Sequence, residues 1–235
     1  MPKGRPRIPS APGSGTVSRL AVDPRRPERT VLYLDGKRAG DLATAVAEDA
    51  GLRVGDLLSE EVLLHLRRQD EPHRARSRAL ALLAVRDRST REVEGRLRQA
   101  GFEATTIDDV VAWLRSLGYL DDARFAEHFA SEKARSGWGE RRIQTELRRK
   151  GVDRATVEDA LETLTDDEDL MRARTDGLVD TARRRFGRQW RSDRVSAERR
   201  LAGFLLRRGY DWDMVSSVAG RLDAEVDPEL GDAER

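Results

Sequence analysis

Apolar positions along this chain recur three and four residues apart, and in three stretches they do so in the same frame. The segments Arg91–Phe102 (REVEGRLRQAGF), Arg141–Val152 (RRIQTELRRKGV) and Arg199–Tyr210 (RRLAGFLLRRGY) align without a gap. Val93, Ile143 and Leu201 coincide, as do Leu97, Leu147 and Leu205, then Gly101, Gly151 and Gly209, then Phe102, Val152 and Tyr210. The glycines are spaced by 50 and then 58 residues, and the register continues through Ile107, Val157 and Val215 to Leu114, Leu164 and Leu222. An i, i+4 apolar pair aims one stripe at a core. A glycine ends the helix by taking the left-handed conformation. A second striped helix then follows, and a further helix precedes each pair: Ala75–Arg86, Asp122–Arg135 and about Glu168–Arg185. Such self-similarity is the signature of a repeat protein. The expected fold is mainly α, three tandem three-helix repeats in an elongated array, with a small N-terminal hairpin-and-helix module.

The expected division is a disordered basic arm at 1–29, the N-terminal module at 30–71, repeats at 75–117, 121–164 and 167–222, and an acidic tail at 223–235. In the module, Thr30–Leu42 (TVLYLDGKRAGDL) reads as a β-hairpin turning at Asp35-Gly36. Helices at Leu42–Ala50 and Ser59–Gln69 follow, the second capped by Ser59. Asp70–Arg74 joins the module to the first repeat, where Leu80, Leu83 and Ala84 are expected to face inward. Ser89 with Glu92, and Thr105 with Asp108, have capping-box spacing. Asp121 or Asp122, then Asp153, are the expected caps in the second repeat. Phe125 and Phe129 form its inward pair, and Gly137-Trp138-Gly139 breaks the chain before an arginine-rich helix. Thr165–Asp169 caps or loops, and Phe186–Arg194 reads as a loose connection.

Composition narrows the class. At 235 residues, 38% hydrophobic and 37% charged, the chain suits several small cores. It has no cysteine, which removes disulfides and thiolate ligation. No apolar run approaches a membrane span, so a cytoplasmic protein without membrane contact is expected. Net charge is only +1, yet the charge is uneven. Lysine occurs only at positions 3, 37, 133 and 150, leaving the rest of the 44 basic residues to arginine. Ten arginines lie between Arg183 and Arg208 against Asp193 and Glu198.

Catalytic patterns are weak. His65, His73 and His128 have no ligand spacing, and no phosphate-binding loop is present, since Gly137-Trp138-Gly139 lacks the Lys-Ser/Thr that would follow. The pairs Asp121-Asp122 and Asp166-Asp167 read as helix caps rather than metal ligands. No enzyme activity, cofactor, metal or small-molecule substrate is expected. Binding is the stronger reading. Ile143 and Leu147 lie about 40° apart on a helical wheel, and Arg141, Arg142, Arg148 and Arg149 spread over the other face. Guanidinium forks suit phosphates and carboxylates. The stripe partly recurs as Arg199, Arg200 and Arg207, with weaker counterparts at Arg91 and Arg98. Trp138 beside the stripe is a candidate for stacking on a partner, or simply a packing residue at a helix start.

Gly118-Tyr119-Leu120-Asp121-Asp122, then Arg124-Phe125-Ala126, then Gly137 before a basic helix ending at Lys150-Gly151, together resemble the RecX family of bacterial regulatory proteins. The likeness spans roughly Ser77–Leu222. It implies tandem three-helix repeats, and a protein that lodges in the groove of the RecA–DNA filament. There it would contact successive RecA subunits and modulate, usually inhibit, ATP hydrolysis and strand exchange. RecA and its nucleoprotein filament are the expected partners, with single- or double-stranded DNA as a further one. The contact residues Arg141, Arg142, Arg148, Arg149, Arg199, Arg200, Arg207 and Trp138 come from the stripe, not from the resemblance. The competing expectations are a stand-alone DNA-binding helical repeat and a scaffold for other proteins.

Overall fold

A computed structural model describes residues 13–226. Its described residues divide into two compact units, 13–86 with 94–114, and 87–93 with 115–226. The expected basic arm before residue 13 and the expected acidic tail after residue 226 lie outside the described residues.

The first unit opens with β1 (Gly15–Asp23), β2 (Arg26–Leu34) and β3 (Lys37–Ala43), then α1 (Thr44–Asp49) and the short β4 (Leu57–Leu58). The strands form an antiparallel sheet in the order β3-β2-β1-β4. The Asp35-Gly36 turn is as expected: both residues have positive φ, 49° and 78°, the pair a type I′ turn needs. Residues 15–29 correct the expected arm. They form β1 and the start of β2, with Leu20 opposite Leu32 and Val17 opposite Leu34. A lone two-stranded hairpin is marginal in water, and the added strands give this one a face to bury. That face carries Val17, Leu32, Leu34 and Leu42 against Val46, Leu63 and Leu66.

Ser59 accepts from the Val62 N–H at the start of α2 (Glu60–Leu83). The helix then continues through Pro72, a second correction, because separate helices around a joining segment were expected. Proline removes one N–H and crowds the preceding turn, but Asp70 just ahead of it is held from outside the helix. Its carboxylate accepts from Arg29 at 2.6 and 2.9 Å and from the Ala43 N–H at 2.7 Å. Arg29 also bonds Asp41. Burial alone would raise Asp41, but the Arg29 hydrogen bond and charge outweigh it and hold the carboxyl below its ordinary value. The inward residues of the later part of α2 are Ala75 and Ala79, while Leu80 is exposed and Leu83 only half-buried.

Next come α3 (Thr90–Gln99) and α4 (Ala104–Ser116). Ser89 and Glu92 form the expected capping box, each bonding the other's N–H. The Thr105–Asp108 box fails, since α4 starts at Ala104 and Thr105 already lies within its first turn.

The second unit continues with α5 (Asp122–Arg135), α6 (Glu140–Arg149) and α7 (Arg154–Asp166). Then follow α8 (Glu168–Ser192), α9 (Arg194–Arg207) and α10 (Trp212–Val226). Asp121, Asp153 and Asp167 cap α5, α7 and α8 through the N–H of Arg124, Thr156 and Leu170. Phe125 and Phe129 stack at 6.0 Å over a core with Ile143, Leu147, Val157 and Leu164. The third repeat has its own core of Leu201, Leu205, Val215 and Leu222. Its opening helix runs to Ser192, correcting the loose connection: Phe186 and Trp190 are buried side chains of α8. Likewise α10 takes in Asp223–Val226, the first residues of the expected tail, and Asp223 accepts from Trp190 Nε1 at 2.8 Å.

Candidate partner-binding face

The six aligned core positions Val93, Leu97, Ile143, Leu147, Leu201 and Leu205 are all fully buried. Each helix bearing them therefore has a fixed inward side and a fixed outward one. Gly101, Gly151 and Gly209 end these helices at φ of 89°, 86° and 90°, the left-handed region.

The ends of these helices meet in the second unit. The N–H groups of Gly139 and Arg141, at the start of α6, donate to the carbonyls of Arg208 and Gly209, at the end of α9, at 2.8 and 3.1 Å. Donors left over at one helix start are thus satisfied by acceptors left over at another helix end, and the opposed partial charges attract. The approach is so close that a Cβ on Gly139 would lie 2.1–2.3 Å from the backbone of Gly209 and Tyr210. The same joint occurs one repeat earlier with different chemistry. Ser89 Oγ donates to the Lys150 carbonyl at 2.6 Å, Lys150 Nζ pairs with Glu92 at 3.0 Å, and Gly151 sits against Arg91.

Arg174 fastens the later joint from behind. Buried on α8, it donates to the Trp138 carbonyl at 3.0 Å, lies 3.5 Å from Glu140, and stands 5.4 Å from the Tyr210 ring. Burial pushes the Tyr210 phenol up, and the Arg174 charge pulls it partly back. In sequence Arg174 looks like any surface arginine. Only the spacing of its neighbours Val179 and Leu178 hints that this part of α8 has an inward side.

The expected contact residues fall on the outward sides. Arg141, Arg142, Arg148 and Arg149 are exposed on α6, and Arg199, Arg200 and Arg207 on α9. They are not equally available. Arg149 is held by Glu146 at 2.8 Å, and the Arg142 guanidinium carbon lies over the Trp138 ring, 3.7 Å from its centroid. Arg141 and Arg148 have no ion pair among the described residues. Trp138 is half-buried, packs edge-on to Phe129 at 6.4 Å, and offers its face to Arg142. Its packing role is therefore visible, and stacking on a partner would require Arg142 to leave. Because α9 ends where α6 begins, Arg207 and the capping Arg208 at one helix end and Arg141 and Arg142 at the other helix start flank a single joint.

Acidic pairs act as caps here: Asp121 and Asp167 as above, and Asp122 through the Thr90 N–H at 2.8 Å. Among the described residues no group of three metal-ligating side chains gathers, and no helix is long and apolar enough to cross a membrane. The molecule is thus a tandem three-helix repeat protein with basic helices abutting end to end. Comparison with known proteins gives this class its family. Residues 75–114, 121–161 and 175–218 match the first, second and third three-helix domains of RecX. Regulatory protein RecX of Geobacillus kaustophilus is 31% identical over 209 residues, covering 87% of this chain and 76% of that one. Its counterpart in Clostridium acetobutylicum is 24% identical over 213 residues, covering 89% and 97%. A crystal structure of regulatory protein RecX shares the fold with a TM-score of 0.63 at 21% identity, over 87% of this chain and 98% of that one. RecX from Lactobacillus salivarius aligns with a TM-score of 0.59 at 24% identity, over 66% and 98%. The chain belongs to the RecX family of regulatory proteins.

Proposed function

We propose that this protein is a non-enzymatic, cytoplasmic regulator that binds RecA and the RecA–DNA filament and restrains ATP hydrolysis and strand exchange. The outward arginines of α6 and α9 make the contact. The observation that carries this reading is the joint at Gly139–Gly209, where two arginine-bearing helices meet end to end. Repeated contacts along a helical filament would act together, so modest individual affinities add up to tight binding. Arg141, Arg148, Arg199 and Arg207 are the leading contacts, since no carboxylate among the described residues neutralises them. Arg142, Arg149 and Trp138 contribute only by exchanging their present partners.

The test is RecA-dependent ATP hydrolysis on single-stranded DNA, titrated with this protein. The reading expects hydrolysis to fall to a plateau, and an unchanged rate at saturation would contradict it. Binding to bare single-stranded DNA is measured alongside. Tight, steeply salt-dependent binding without any added affinity for the assembled filament would instead favour a stand-alone DNA-binding repeat.

A further inference from the structure

Arg185 of α8 and Arg199, Arg200 and Arg207 of α9 line a pocket of ≈ 330 Å³, floored by Phe186 and Phe204 and completed by Gly203. Elsewhere in the same repeat arginines are neutralised at close range: Arg183 by Asp180, Arg194 by Asp223, and Arg221 by Asp176. The four pocket arginines have no such pairing among the described residues. Glu198, their neighbour in sequence, lines an adjoining groove with Val195, Leu206 and Trp212 that Arg199 and Gly203 also border, and it forms no ion pair with Arg199 among the described residues. Asp193 at the start of α9 feels the Arg199 charge, but its carboxylate is engaged by Ser196.

Three of the four guanidinium groups have defined surroundings. Arg185 lies 4.9 Å over the buried Phe204 ring, an attraction that holds a cation against an aromatic face. Arg200 donates to the neutral Gln189 Oε1 at 2.7 Å, which orients it without neutralising it. A Cβ at Gly203 would stand 3.1 Å from Arg207 Nη1, so the glycine leaves that side chain its space.

We propose that this pocket is a phosphate site, taking either successive phosphodiesters of a nucleic-acid strand or a free polyphosphate. Four like charges around one cavity repel one another, and a multiply charged anion relieves this best. A polyphosphate concentrates several charges and many oxygens within one cavity, and successive phosphodiesters bring one charge and two non-bridging oxygens each to planar guanidinium forks, whereas a lone carboxylate brings a single charge. The pocket deepens the reading of α9 given above and rests on it for a role at the filament, but anion binding itself requires no RecA.

The experiment is calorimetric titration of the full chain with sodium tripolyphosphate, with a labelled oligothymidylate and a hexaglutamate peptide as competing arms. Arg185→Gln with Arg200→Gln should weaken tripolyphosphate binding about tenfold or more, since each change removes charge-assisted hydrogen bonds. Arg183→Gln with Arg221→Gln removes the same formal charge from paired positions and should change it by about twofold or less. Equal losses in the two double variants would overturn the site, as would hexaglutamate binding as tightly as tripolyphosphate. Displacement of tripolyphosphate by the oligonucleotide supports the site and names the strand as its source. Absence of displacement, with the variant loss intact, supports it with free polyphosphate as the source. RecA hydrolysis measured on the same proteins separates the two readings. Phosphate binding without a RecA response overturns the regulator alone, and a RecA response without phosphate binding overturns the pocket alone.

Discussion

The two joints of the second unit occupy equivalent places in the repeat and are built from different materials. At the Gly139–Gly209 joint two backbones touch, and amide-to-carbonyl bonds cross from one helix end to the other. At the Ser89–Gly151 joint side chains do the same work: a hydroxyl on the Lys150 carbonyl, an ammonium on Glu92, and the stem of Arg91 over Gly151. A repeat thus copies its buried stripe and its geometry more faithfully than the chemistry of its seams. The backbone seam leaves no room for change, whereas the side-chain seam can give way.

That contrast can be broken deliberately. Gly139→Ala should be the most damaging change, because its methyl group meets backbone atoms that cannot move aside. A loss of about 3 kcal/mol is expected in urea denaturation, at the upper end of overpacking costs. Gly151→Ala should cost less, about 2 kcal/mol. It forces a left-handed conformation on alanine and sets the methyl against Arg91 Cδ, Cγ and Cβ; the first two can turn away, and only the Cβ is fixed to backbone. Ser89→Ala removes both the cap of α3 and the bond to Lys150, and should cost about 1 kcal/mol. An equal cost for all three would dissolve the distinction between the two seams.

A smaller effect is expected in the first unit. Asp41 has its carboxyl held below the ordinary value by Arg29, so the unfolded chain binds its proton first. Its contribution is complete above the ordinary carboxylate range and is lost as pH falls through the lower, folded value. Acid titration of stability should therefore flatten in Asp41→Asn. An unaltered acid slope in that variant would remove Asp41 from the account.

Most of the repeat was legible because its determinants are local. The pairs Ile143/Leu147 and Leu201/Leu205, the glycines after them and the capping aspartates each depend on residues within one or two turns. What was missed depends on distant partners. β1 shows weak alternation, and it becomes a strand because β2 lies beside it. α2 survives Pro72 while Asp70, two residues before the proline, is tied to a strand residue 41 positions away. Trp190 was hidden in an arginine-rich stretch, and its inward face exists because α9 and α10 return to cover it. The exposed arginines were correctly placed on the outward sides, but how freely each can act was not weighed. Glu146 is three residues before Arg149, a standard helical contact, and Trp138 stands just ahead of the helix, four residues before Arg142. The need for glycine at 139 was invisible, because the atoms that exclude a side chain belong to residues 209 and 210.

The proposed contact of the outward α6 arginines with the filament is tested by the affinity of the full chain for RecA assembled on single-stranded DNA, compared with Arg141→Glu plus Arg148→Glu. Both residues are exposed and have no ion pair among the described residues, so circular dichroism should show unchanged helical content, while the affinity for the filament falls about tenfold or more. Equal affinity from an equally helical variant would contradict the claim and leave α6 as a helix that merely faces solvent.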